Sequence, residues 1–253
     1  MLLVRYQTPN TAPQYGYVEG ELIGKVNGDL FSDFSRDKAL YPIAEVTLLP
    51  PCEPTKIIGV VNNFADRLRE VNLPPPELPI LFFKPPSALL GHEGAIRLPT
   101  LAQQVEHAAE LAVIIGKRAR SVPAEQALNY VLGYAASNDV TARDLIERDG
   151  MWTRGKGFDT FCPLGPCIAT NLDLADVMIQ CRVNGETRQM SSTHDLVFNV
   201  PRLIAFISSI MTLMPGDVIL TGAPSGVGML AEGDSVEVEI EGIGVLRNSV
   251  KHE

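Results

Sequence analysis

The run Glu110-Leu111-Ala112-Val113-Ile114-Ile115, closed by Gly116, limits the possible architectures more than any other segment. Its five consecutive apolar residues leave no solvent face, and the stretch is too short for an ordinary helix. It therefore reads as a β-strand covered on both faces. Such a strand needs packed layers above and below it. The 253 residues include 21 glycines and 19 prolines, about one residue in six where roughly 12% is ordinary. That share favours a loop-rich, strand-rich fold over a helix bundle.

Short strands are read around Leu2 to Tyr6, Tyr15 to Val18 and Glu21 to Lys25, with Asn27-Gly28 as a tight turn. Pro50-Pro51-Cys52-Glu53-Pro54 is stiff punctuation that separates a small β-rich N-terminal domain, 1–50, from a main domain, 51–253. Further strands are expected at Ile80 to Phe83, Val218 to Leu220 and Val236 to Ile240, the last alternating with Glu237 and Glu239 in a half-buried pattern. Two helices are predicted. One runs from Pro123 to Leu132 and stops at Gly133. The other runs from the cap residue Asn199 to Leu213, with Leu203, Ile204, Ile207, Ile210 and Met211 as its apolar stripe.

The chain carries 21 Lys and Arg against 30 Asp and Glu, a formal net charge of −9. No basic cluster is present to neutralise phosphates, so nucleic acid is not an expected partner. An acidic chain is also a poor match for anionic membranes, and no apolar run approaches the ~18 residues of a spanning helix. The segment Met1 to Gln7 has no basic stretch ahead of a long apolar one, so the sequence predicts no signal peptide and a cytoplasmic location. The cysteines at 52, 162, 167 and 181 lack zinc spacing and a nearby His, and read as reduced thiols.

Four segments carry polar groups in apolar surroundings. In the first, Glu110 enters the buried strand, where a carboxylate is costly unless paired or bound to a metal; a solvent-facing strand edge is the alternative. In the second, Asn138 and Asp139 offer oxygens suited to a hard cation such as Mg²⁺. Arg143 follows with a fork suited to a substrate carboxylate, and the alternative is a loop with a surface Arg–Asp pair. In the third, Lys156 lies between two glycines among Trp152, Phe158 and Phe161, placed to stabilise an enolate or move a proton, or else solvated on a loop. The fourth, Thr221 to Gly228, has glycines that leave backbone N–H groups open to an anion, without the Lys and Ser/Thr of a phosphate loop.

In this order and spacing, Glu110 to Gly116, Asn138 to Asp144, Gly155 to Asp159 and Pro215 to Gly222 resemble the fumarylacetoacetate hydrolase family, over about Lys56 to Val250. Residues 1–50 resemble the small N-terminal domain of the same group. The resemblance implies a mixed α/β, mainly β fold: a β-sandwich roll behind that small domain, assembled as a homodimer. It implies Mg²⁺ or Mn²⁺ held by a Glu-x-Glu pair and an Asp, and a small 2-oxo or 1,3-diketo acid as substrate. Hydrolysis of C–C bonds, decarboxylation, and keto–enol or double-bond isomerisation all occur in the family. Carried over by position, Glu110 and Asp139 are metal ligands, and Lys156 and Glu70 are catalytic. Arg143, Gln189, Thr221 and Gly222 bind substrate, with Ile146 and a loop from Gln189 to Asp195 facing it; His194 in that loop reads equally as a surface histidine.

The sequence departs from the family at three places. The first Glu of the metal pair is Ala108, which offers no oxygen and should weaken the ion's hold; Glu106 lies too far along an extended strand to replace it. The His of the family's Asn-Tyr-x-x-His-x-x-Glu segment is Arg67 in Asn63 to Glu70, and a guanidinium cannot act as a base near neutral pH. Ala223 replaces a threonine. These changes favour isomerase, tautomerase or decarboxylase chemistry over C–C hydrolysis. They leave open a catalytically impaired binding or partner subunit, and a deliberate replacement of a metal ligand at Ala108.

Overall fold

The computed structural model describes residues 1–9 and 11–253. Its centre is the predicted strand, Ala109–Ile115, buried at every position. Leu111, Val113 and Ile115 pack into one hydrophobic cluster, while Ala112 and Ile114 pack into a second. Alternation sends neighbouring side chains to opposite faces, so the apolar run is covered on both sides, as its composition demands. The expected mixed α/β, mainly β roll, with β-rich N-terminal segments, is what the chain forms.

The strand lies inside a twelve-stranded sheet, between Val131–Asn138 and Val218–Leu220; Ile57–Val61 and Ile80–Lys84 extend that side. On the other side come Cys162–Ala169 and then Leu2–Gln7, Gln14–Glu19, Leu22–Gly28 and Phe34–Pro42. The N-terminal strands thus continue the main sheet, with Leu2 paired to Ala169 and Leu3 to Ile168. A five-stranded sheet contributes Ile179, Cys181, Val238 and Leu246 to the larger cluster. A three-stranded ribbon joins Val105–His107 to Thr141–Ala142 and Gly228–Met229.

Four α-helices are present among the described residues: α1 (Ala65–Glu70), α2 (Arg143–Asp149), α3 (Trp152–Lys156) and α4 (Val200–Ile210). None is long and apolar enough to cross a membrane. In α4, the Asn199 side chain accepts a hydrogen bond from the Arg202 N–H, and Leu203, Ile204 and Ile207 of the expected stripe are buried along with Val200. The helix ends at Ile210, short of the expected Leu213; Ile210 is exposed and Met211 lies past the helix end, so neither extends the buried stripe within it.

Three other local expectations need correction. The segment beginning at Pro123 is a 3₁₀ helix, Ala124–Tyr130; Val131 and Leu132 already belong to the next strand, whose ladder wins their backbone groups. Asn138 therefore ends a strand. The tight turn read at Asn27-Gly28 comes slightly later: both residues finish the third strand, and the chain turns over residues 29–33 before the fourth. Residues 189–192 belong to the strand Glu186–Ser192, so the Gln189 to Asp195 loop is a strand followed by a 3₁₀ turn.

Gly59 sits opposite Phe82 in the pairing of Ile57–Val61 with Ile80–Lys84, and its missing side chain lets the Phe82 ring lie across the neighbouring strand. A Cβ at 59 would collide with that ring. Gly59→Ala is expected to destabilise the fold by about 1–3 kcal/mol through overpacking, measured as a lower urea midpoint with unchanged slope.

Candidate active site

Sheet register builds the site. Ala109 pairs with Asn138 and Glu110 with Ser137, so the next step places Asp139 opposite Ala108, where the Asp139 N–H donates to the Ala108 carbonyl at 2.8 Å. Residues directly opposite on paired strands project from the same face, as do residues two apart. Ala108, Glu110 and Asp139 accordingly line one cavity of about 250 Å³. Phe82, Thr141, Arg143, Trp152 and Lys156 line it too, as do Val60, Val61, Asn62, Arg67, Val71, Leu73, Ala223 and Val227.

Asp139 is only 2% exposed and is held by two lysines. Lys84 Nζ donates to its Oδ1 at 2.7 Å and to the Val140 carbonyl at 2.9 Å. Lys156 Nζ donates to its Oδ2, and to Thr141 Oγ1 at 2.7 Å. Burial alone would push the Asp139 carboxyl up, but the charges of Lys156 and Lys84 outweigh it and hold Asp139 below the usual carboxylate range. Lys156 is pulled down from its ordinary value by burial, against the pull of Asp139. Glu110 lies well above the usual range, because it is buried and because it faces the Asp139 charge. Its Oε2 accepts the Gly222 N–H at 2.6 Å, and Oε1 has no hydrogen-bond partner among the described residues.

Lys156 reaches the cavity as the last residue of α3. The helix lies close on α2 because Gly155 has no side chain: a Cβ there would collide with Ile146 and sit 2.7 Å from the Ala142 carbonyl. Ile146 thus packs between helices and is not part of the cavity lining. The Lys156 ammonium is also 4.3 Å from the Phe82 ring centroid, and Phe82 stacks on Trp152 with centroids 5.9 Å apart. Lys156 is therefore neither solvated nor mobile on a loop.

The other sequence-derived candidates divide. Arg143 lines the cavity, with Nε donating to Glu106 Oε2 at 2.9 Å. Gln189 is buried outside the lining: its Oε1 accepts the Ala109 N–H at 2.9 Å and meets His107 Nδ1 at 3.1 Å, while Nε2 donates to the Pro224 carbonyl. Thr221 turns its hydroxyl to the Leu111 carbonyl. Gly222 orients Glu110. These three hold the strand and the 221–228 loop rather than lining the cavity. Glu70 is ion-paired with Arg67 and accepts the Gly226 N–H at 3.0 Å, also outside the lining. His194 is exposed.

Lys84 was not anticipated from the sequence. The available signal was its place two residues after Phe82 on a strand, which puts both side chains on the buried face.

A divalent ion would find two carboxylates here, Glu110 and Asp139. No group of three or more His, Cys, Asp or Glu comes together among the described residues. Position 108, opposite Asp139, presents a methyl group. Magnesium commonly takes one or two carboxylates and completes its shell with substrate oxygens and water. The donor set fits an ion completed by its substrate, without forming a closed cage.

Residues 56–251 match the family described as fumarylacetoacetate (FAA) hydrolase C-terminal, and residues 1–51 match Rv2993c-like, N-terminal. The chain belongs to the fumarylacetoacetate hydrolase family. A mitochondrial oxaloacetate tautomerase of Bos taurus is 46% identical over 83% of this chain and 71% of its own. The crystal structure of 2-hydroxyhepta-2,4-diene-1,7-dioate isomerase from Mycobacterium marinum shares 39% identity over 100% of this chain and 99% of that one, with a TM-score of 0.93. Maleylpyruvate hydrolase from Sphingobium sp. SYK-6, solved with manganese(II) and pyruvate, shares 33% identity over 100% and 99%, with a TM-score of 0.83. Fumarylacetoacetate hydrolase relatives of this chain are thus tautomerases, isomerases and hydrolases, and at least one binds Mn²⁺.

Removing Lys84 would leave Asp139 buried with one ammonium in place of two. Lys84→Met is expected to lower stability by about 3–5 kcal/mol, the usual result of breaking a buried ion pair from one side. Equilibrium urea unfolding against the parent protein measures it.

Proposed function

We propose that this chain is an enzyme acting on a small 2-oxo acid through an enolate, as a tautomerase, isomerase or decarboxylase. The observation that supports this most is Lys156, 5% exposed and fixed by Asp139 and Thr141 in the cavity that Glu110 also faces. A desolvated ammonium held in place stabilises negative charge on an oxygen without reorganisation during the reaction. Arg143 receives the substrate carboxylate through the guanidinium nitrogens left over from its contact with Glu106. Phe82 and Trp152 form an aromatic wall that keeps water from the enolate.

Glu110 and Asp139 would hold Mg²⁺ or Mn²⁺, which when bound supplies Lewis-acid polarisation of the keto group. With Ala108 in the third position, its affinity should be weak in the absence of substrate. Hydrolysis needs a base for water. Arg67 cannot serve, and Glu70 is engaged with Arg67 and Gly226, so C–C hydrolysis is the less supported outcome. The protein is expected to work as a homodimer.

A second reading, a family member that binds a ligand or partner without turnover, draws support from Ala108 and Arg67. Conversion of enol-oxaloacetate to the keto form, followed by loss of enol absorbance with and without Mn²⁺, separates the two, with an acylpyruvate as second substrate. The enzyme reading expects protein-dependent acceleration that rises with metal. No acceleration of either substrate under any metal condition would leave the binding reading.

Two variants refine the test. Lys156→Met should lower kcat by about 10²–10³-fold, the effect of losing one charge-stabilising donor, with far less change in Mn²⁺ affinity by calorimetry. An equal loss of both would remove Lys156 from its role. Ala108→Glu, opposite Asp139, should raise Mn²⁺ affinity by at least about tenfold without substrate present; no gain would point to a site unsuited to metal.

A further inference from the structure

Glu106 lies on the central strand of the three-stranded ribbon, paired with Thr141 on one side and Met229 on the other. Its backbone is thus fixed from both sides. Residues directly opposite on paired strands project from the same face, so Glu106 shares a face with Thr141, which lines the cavity and holds Lys156. Arg143 opens α2 two residues after Thr141, with its N–H donating to the Gln104 carbonyl at 2.8 Å, and it too lines the cavity. Glu106 itself is not part of the lining. Its Oε2 accepts from Arg143 Nε at 2.9 Å, while the two terminal guanidinium nitrogens have no partner among the described residues.

We propose that Glu106 is a positioning residue for Arg143. It grips the guanidinium at Nε from outside the cavity, so that the two terminal nitrogens present a ready fork to the substrate carboxylate. This rests on Arg143 receiving that carboxylate, as proposed above, and assigns the group that makes it ready.

A free arginine side chain samples many rotamers, and freezing them when a ligand arrives costs affinity. An arginine held at Nε has given up that freedom beforehand, and its planar fork fixes the direction of the remaining donors. The Glu106 charge opposes an incoming anion. Water reaches the pair, with Arg143 28% and Glu106 19% exposed, so that opposition is screened, whereas the rotamer restraint is not. Orientation therefore outweighs repulsion.

Calorimetric titration with oxalate, Mn²⁺ present, separates the two effects. Glu106→Ala removes grip and charge together and should weaken oxalate binding about tenfold, the worth of one charge-assisted hydrogen bond. Glu106→Gln drops the charge but keeps an oxygen for the Nε proton, and should retain most of the parent's affinity. In an Arg143→Met background, Glu106→Ala should have no further effect, because Glu106 acts only through the guanidinium. Glu106→Thr, too short to reach Arg143 but suited to a strand, replaces the alanine variant if that one fails to fold. In turnover of oxaloacetate the same loss should appear in KM, with kcat nearly constant.

Oxalate binding that Glu106→Ala leaves unchanged or tightens would show repulsion to be the larger effect and overturn the assignment. An equal loss with and without the Arg143 guanidinium, the mark of a merely structural residue, would overturn it as well. Either result leaves the 2-oxo acid reading intact. An Arg143→Met variant that binds oxalate as tightly as the parent, or a parent protein that binds none, would overturn both.

Discussion

A carboxylate removed from water between two ammonium groups governs this structure. Asp139 accepts from Lys84 on one oxygen and from Lys156 on the other, all three nearly inaccessible to solvent. Such a cluster survives only if the backbone holds its members at hydrogen-bond distance, because desolvation of each ion costs several kcal/mol and the mutual attraction must offset it. The backbone does so through three independent elements. The end of Val131–Asn138 carries Asp139, the end of Ile80–Lys84 carries Lys84, and α3, pressed onto α2 by Gly155, carries Lys156. Stability and chemistry meet in the same few atoms.

The register between Ala109–Ile115 and Val131–Asn138 adds the second carboxylate to the same face. Its consequence at position 108 is equally direct. Ala108 lies opposite Asp139 and faces the cavity, so a single methyl group determines how many acidic ligands the site can offer. In this family member the positive charge that an ion would bring is partly supplied by the lysines. That balance is why the residues suit an ion completed by its substrate, and why Lys156 carries so much of the proposed chemistry.

Much of this was legible in the sequence. The apolar run after Glu110 announced a strand covered on both faces, while its single acid also read as a solvent-facing strand edge; its burial in the structure decides between the two. Glu110, Asp139, Arg143 and Lys156 do converge on one cavity. Lys84 stayed hidden because a lysine closing an apolar strand before Pro85-Pro86 looks like an ordinary charged strand end; alternation puts it on the same face as Phe82, and only the packed structure shows that this face is buried. Gln189, Thr221 and Gly222 were read as substrate contacts, yet their polar groups meet Ala109, Leu111 and Glu110. Long-range hydrogen bonds of that sort leave no local periodicity to read. The helix expected from Pro123 to Leu132 is shorter because its last apolar residues fit helix and strand alike and join the next strand.

The most direct test of the central claim is a crystal structure of the protein grown with Mn²⁺ and oxalate, a two-carbon mimic of the enolate, with the metal located by its anomalous scattering. Oxalate in the cavity within hydrogen-bond reach of Lys156, and a manganese peak beside Glu110 and Asp139, is the expected result. A cavity without either, or both bound elsewhere on the molecule, would contradict it.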